Sequence, residues 1–154
     1  MASLITLIYS APTRTLEKGE ALITQGDEGG DIFVLETGAL AVERDGVEIA
    51  TITDPDSLIG EMSVLLGREY TATVRAVKPT KVRVVEDAIR ILERQPLLTL
   101  RLATLLCERL DATSALLVEM NRDKGGDAGQ KGWASRLLSS LLTPPKPETP
   151  PNHE

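Results

Sequence analysis

The chain predicts a mainly β fold, an antiparallel jelly roll or barrel of short strands, followed by a short helix and one long helix. Three observations carry this. Short apolar runs recur between glycine-rich and aspartate-rich turns from residue 14 to residue 85. Asp45-Gly46 stands between two such runs, a strong hairpin signal. After Glu86 the apolar spacing changes from every second residue to every third or fourth.

Taken in order, Lys18-Gly19-Glu20 ends a first short strand and Ala21–Gln25 is the next. Gly26–Asp31 is a loop dense in residues that tolerate positive φ. Ile32–Leu35 reads as a buried strand closed by Thr37-Gly38. Leu40–Arg44 and Val47–Ile52 flank the Asp45-Gly46 turn, and Asp54–Ser57 is a loop. Leu58 ends a strand before Gly60-Glu61, and a short apolar helix covers Met62–Leu66. Thr71–Val77 and Lys81–Val85 are two more strands, parted by Lys78-Pro79.

Asp87–Arg94 is a short helix capped near Glu86-Asp87, and Pro96 suits the first turn of a second helix running to about Asn121. That helix spans about 25 residues, near 40 Å at 1.5 Å per residue. Leu98, Leu102, Leu105, Leu106, Leu110, Leu117 and Met120 make an apolar stripe along it. The stripe either packs on the strand domain or pairs with a second copy of itself, extending past a domain this small.

Residues 122–132 read as a glycine-rich linker and 133–142, led by Trp133, as a short amphipathic helix. Residues 143–154 hold Pro144, Pro145, Pro147, Pro150 and Pro151, an extended and disordered tail by composition. The domain itself is expected over 14–121, after an N-terminal segment, 1–13.

Composition narrows the function classes. In 154 residues, 42% apolar content allows a real core, and 3% aromatic content makes it aliphatic. The net charge of −6 argues against direct nucleic-acid binding, which needs a basic surface. The single cysteine, Cys107, excludes an internal disulfide and a cysteine-cluster metal site, and its leucine-rich surroundings suggest a buried structural thiol. The short apolar stretch of residues 1–12 lacks the flanks of a signal peptide, and nothing reaches transmembrane length, so a cytoplasmic protein without membrane attachment is expected. The one histidine, His153, lies in the tail, with no triad, paired-carboxylate site or metal-ligand cluster, so no enzymatic activity is expected.

Residues 58–76 carry the most chemistry. Gly60 allows close backbone approach to a ligand, and Glu61 is an acceptor suited to a sugar hydroxyl. The start of the short helix offers free N–H groups to a phosphate. A carboxylate beside an anion site fits a phosphorylated sugar.

This segment resembles the phosphate-binding cassette of the cyclic nucleotide-binding domain family. The resemblance covers about residues 14–121. It rests on Lys18-Gly19-Glu20, Gln25-Gly26-Asp27, Gly30–Leu35 with Gly38, Gly60-Glu61-Met62-Ser63, Thr71–Ala76, Pro96 and Arg109-Leu110, in family order. It implies a β-roll closed by the long helix as a lid, with cAMP or cGMP as ligand and no cofactor. Glu61 would bind the ribose 2′-OH, and Gly60, Met62 and Ser63 would offer N–H groups to the phosphate. Thr71 would contact the ligand, with a leaning towards guanine, and Thr113 and Ser114 lie about where relatives touch the base.

The family's phosphate-gripping arginine is replaced by Tyr70. A charged hydrogen bond contributes roughly 1.5–3 kcal/mol against about 1 for a neutral one. The exchange alone weakens binding by about tenfold. Arg68 or Arg75 either reaches in or stays on the surface. The helix-turn-helix of the catabolite activator group has no counterpart here, so a stand-alone sensor is expected, acting through a homodimer on the lid helix or through a protein partner. Two alternatives remain: an interaction protein that has lost nucleotide binding, and a sensor of another nucleotide, such as a cyclic dinucleotide. A transcription factor is the least favoured reading.

Overall fold

The computed structural model describes residues 2–123, in two units that divide between Leu102 and Ala103. The expectations for the glycine-rich linker beyond Asp123, for residues 133–142 and for the tail at 143–154 lie outside the described residues.

The first unit begins with a one-turn helix, α1 (Leu4–Leu7), inside the N-terminal segment, 1–13, for which the sequence predicts no element. Ser3 caps it by accepting from the Thr6 N–H, and Asp56 accepts from the N–H groups of Leu4 and Ile5 at 2.9 and 2.8 Å. No helical periodicity could reveal four residues capped by a carboxylate some fifty positions later.

Eight strands follow: β1 (Thr13–Leu16), β2 (Ala21–Ile23), β3 (Ile32–Thr37), β4 (Leu40–Arg44), β5 (Val47–Ile52), β6 (Leu58–Ile59), β7 (Thr73–Ala76) and β8 (Thr80–Val85). They form two four-stranded antiparallel sheets, β1-β8-β3-β6 and β2-β7-β4-β5, rather than a closed barrel. The aliphatic core lies on their facing sides, from Leu16, Leu22, Leu35, Leu40, Ile59, Val74 and Val82, with Phe33 and Tyr70 as its aromatic members. β3 is buried at four consecutive positions, Ile32–Leu35, because α1 and the helix after β6 pack against it as well.

The β4–β5 turn is the expected two-residue hairpin, with Asp45 at φ 52° and Gly46 at φ 78°, the type I′ signature. Its tip is pinned to the β2–β3 loop. Gln25 donates to Asp45 Oδ1 at 2.7 Å and accepts from the Asp45 N–H at 2.9 Å. Gly38 closes β3 at φ 104°, and a Cβ there would lie 2.6 Å from Thr80 Cα and 2.7 Å from the Pro79 carbonyl.

Three helices complete the described chain: α2 (Glu61–Leu66), α3 (Ala88–Arg94) and α4 (Pro96–Asp123). Asp87 is the N-cap of α3 by position, but it sits at φ 47° and its side chain makes no capping bond. Within the first unit, α4 buries Leu98 and Leu102, while Leu97 and Leu100 are exposed.

The second unit contains the rest of α4. Along the expected stripe Leu105, Leu106 and Leu117 are half-buried, and Leu110 and Met120 are exposed, as are Leu116 and Val118 outside it. Cys107 corrects the sequence reading: it is exposed, on a stretch of α4 whose residues 107–113 all face solvent. Leucine neighbours in sequence do not bury a residue when the helix between them carries a polar face. Among the described residues no helix is long and apolar enough to cross a membrane, and no group of three or more potential ligands could hold a metal ion.

Candidate functional site

The site is a turn, a short helix and a returning loop between β6 and β7. Gly60 follows β6 at φ 85°, in the left-handed region that favours glycine. A Cβ at this position would also lie 3.0 Å from the Asp31 carbonyl and 3.1 Å from Tyr70 Cε1. Space and backbone conformation therefore both require glycine.

From that turn α2 begins, and its two faces differ sharply. Glu61, Ser63 and Val64 are buried, Glu61 to 3% exposure, while Met62, Leu65 and Leu66 face outward at 43–61%. The helix ends at Gly67, left-handed at φ 62°, whose N–H donates back to the carbonyls of Ser63 and Val64. Met62 can therefore offer a ligand its backbone, while its side chain points away.

The loop then returns to the core. The Tyr70 N–H donates to the Asp27 carbonyl and the Tyr70 carbonyl accepts from the Gly26 N–H, both at 2.9 Å. This backbone pair fixes Tyr70 with its side chain turned inward, 7% exposed and within the core cluster. Its hydroxyl donates to the Asp31 carbonyl at 3.0 Å. Burial pushes the phenol pKa up. The one donor that Tyr70 carries is thus engaged by the protein.

Thr71 and Ala72 are half-buried at the approach to β7. Thr73 and Arg75 share the outward face of that strand. Thr73 Oγ1 accepts from the Gln25 N–H at 3.0 Å, and Arg75 donates to the Gly19 carbonyl at 3.3 Å and lies 3.9 Å from Glu43. Arg75 is therefore the surface arginine of the two alternatives. Arg68 is exposed at the loop tip. It lines a cavity of about 480 Å³ with Glu28, Ser63 and Asp87, and another of about 500 Å³ with Arg44, Asp45, Glu69 and Thr71.

The structure brings Gly60, Glu61, Met62, Ser63, Arg68, Tyr70 and Thr71 into one turn–helix–loop unit. Thr113 and Ser114 belong to the second unit. Their hydroxyls donate to the carbonyls of Arg109 and Leu110, four residues back, at 2.8 and 2.9 Å. Sequence reasoning missed Asp31, whose carbonyl takes the Tyr70 hydroxyl and whose carboxylate accepts from the Asp87 N–H at 3.0 Å. The only signal available was indirect: a tyrosine in an apolar strand approach needs a partner for its hydroxyl.

Two antiparallel sheets carrying a glycine-led helix with a buried carboxylate make a β-roll. The cyclic nucleotide-binding domain model matches residues 13–89, and the chain belongs to that family. It is 34% identical to a cAMP-dependent protein kinase regulatory subunit of Yarrowia lipolytica over 74 residues, 48% of this chain and 20% of the relative. It is 30% identical to the cyclic AMP receptor protein of Thermus thermophilus over 103 residues, 63% of this chain and 48% of the relative. The chain thus spans less than half the length of either curated relative. The crystal structure of the Thermus thermophilus catabolite activator protein superposes with a TM-score of 0.62 at 28% identity, covering 76% of this chain and 58% of that one. A regulatory subunit and a receptor are among the proteins this chain is similar to.

Proposed function

We propose that the domain is a regulatory module that binds a ribose-bearing ligand of the cyclic nucleotide class, cAMP or cGMP first among them, at the β6–α2 turn. The observation that carries this is Glu61: a carboxylate buried to 3% directly after a left-handed glycine, within the segment matched by the family model. Glu61 accepts from the ribose 2′-OH. The N–H groups of Gly60, Met62 and Ser63 face the phosphate, with Thr71 beside it. Binding moves α4 and so changes pairing with a second copy or a protein partner. This needs only that the ligand favour one of two existing arrangements.

Calorimetric titration with cAMP and cGMP tests the reading. Micromolar or tighter binding that falls at least about tenfold in Glu61→Ala, the loss of a charged hydrogen bond, is expected. Equal affinity in wild type and Glu61→Ala would refute the ribose role. A second reading, an interaction module that no longer binds nucleotides, is favoured by one observation, the engaged hydroxyl of Tyr70. Absence of binding to every ribose ligand, with a folded protein, would establish it.

A further inference from the structure

A cavity of about 280 Å³ lies where the N-terminal segment, the end of β8 and the C-terminal end of α3 meet, all within the first unit. It is separate from the Gly60 turn, since no residue of 58–72 lines it. Its walls are apolar: Ile8, Val84 and Val85 are buried, and Ala11 and Ile91 are half-buried. An apolar cavity of about 150 Å³ is enough to take up benzene, so by that ratio this one holds about eleven non-hydrogen atoms.

Hydrogen bonds set these walls before any ligand arrives. Arg83 donates to the Tyr9 and Ala11 carbonyls at 2.8 and 3.0 Å, and Glu36 braces it from 3.3 Å. The Ala11 N–H donates to the Ile8 carbonyl and the Val84 N–H to the Pro12 carbonyl, at 2.8 and 2.9 Å. The α3 wall is anchored at its first end. There the Ala88 N–H donates to the Gly30 carbonyl at 2.8 Å and the Asp87 N–H to the Asp31 carboxylate at 3.0 Å. Walls fixed in this way spare a ligand much of the ordering cost of binding.

The polar groups of the lining are Ser10, Glu86 and Gln95, all exposed. Glu86 carries the only charge, with no arginine or lysine in the lining. Among the described residues its carboxylate makes no ion pair or hydrogen bond. The Ser10 hydroxyl and the Gln95 side-chain carbonyl add acceptors for the other protons of an ammonium group. Apolar walls with a few polar groups are the usual make-up of a small-molecule site. An anionic ligand would meet Glu86 with like charge, and a neutral one would leave that charge unused.

We infer that this cavity is a second ligand site, for a small hydrophobic amine. The hydrocarbon body lies on Ile8, Val84 and Ile91, and the ammonium group faces Glu86. The inference stands on these residues alone and does not depend on what binds at the Gly60 turn.

Titration of the full chain with 3-phenylpropylamine, the matching alcohol and 3-phenylpropionate, followed by NMR of amide and methyl groups, tests it. Saturable shifts at Ile8, Val84 and Ile91 are expected, with the amine binding most tightly and the carboxylate most weakly. An ion pair to an exposed carboxylate adds about two- to fivefold in affinity. Glu86→Gln should therefore weaken the amine by that factor and bring it level with the alcohol.

No shifts at these three residues, or shifts at the Gly60 turn in their place, would overturn the inference. So would an amine that binds no better than the carboxylate, or one whose affinity is unchanged in Glu86→Gln. Ala11→Leu fills the cavity and should abolish the shifts; if they persist, the ligand lies elsewhere and the inference fails. Should Ala11→Leu not fold, Glu86→Gln, a surface change, still decides.

Discussion

Tyr70 and Glu61 are both buried in the same turn–helix–loop unit, yet they act on different sides of it. Glu61 is the group proposed to meet a ligand, whereas Tyr70 ties the loop into the protein through Asp31. Removing only the hydroxyl, in Tyr70→Phe, leaves the part-buried Asp31 carbonyl without this donor and should cost about 1 kcal/mol in urea unfolding. The raised phenol pKa adds a dependence on pH. The unfolded chain loses the phenolic proton near pH 10, while the folded chain keeps it to higher pH. The unfolded state then binds fewer protons, so stability is fully present below about pH 10 and declines as pH rises beyond it. Tyr70→Phe should lack this part of the alkaline decline, which unfolding curves collected from pH 8 to 11 would resolve.

Elements are where the sequence was most and least readable. The β4–β5 hairpin was legible because Asp45-Gly46 can do little else between two apolar runs, and its strands begin and end where expected. The Gly60 turn was legible for a similar reason, since glycine before an acidic residue and a short apolar run leaves few alternatives. By contrast, α1 was invisible, because its stability comes from Asp56 and from packing on β3 rather than from its own residues. The role of Asp31 was hidden too, because a main-chain carbonyl carries no signature in its own side chain. Cys107 was misplaced because composition was taken for burial.

Two predictions belong at this scale. Asp56→Ala removes acceptors for two N–H groups of α1 and should cost about 1–2 kcal/mol, as a lost helix cap does, by urea unfolding. Gly38→Ala should be worse. The new methyl meets Thr80 and the Pro79 carbonyl at a backbone angle unsuited to alanine, so a loss of at least about 3 kcal/mol, or failure to fold, is expected on thermal melting.

At the scale of the whole molecule, the second unit presents Leu110, Leu116, Val118 and Met120 to solvent along α4. Exposed leucines in a single helix suit pairing with another copy of it. Sedimentation of the wild-type chain should give a dimer at micromolar concentration, and Leu110→Glu should shift it to monomer. A wild type that stays monomeric would leave a protein partner as the route by which binding is reported. The N-terminus makes its own connection in the first unit. Asp56 holds α1 with its side chain and β3 with its backbone, its N–H donating to the Leu35 carbonyl at 2.9 Å, and β6 and Gly60 follow within four residues. A purification tag or a trimmed start that disturbs Ser3–Ile5 would therefore be felt at the Gly60 turn. A weak titration from such a preparation would report on cloning rather than on the natural affinity.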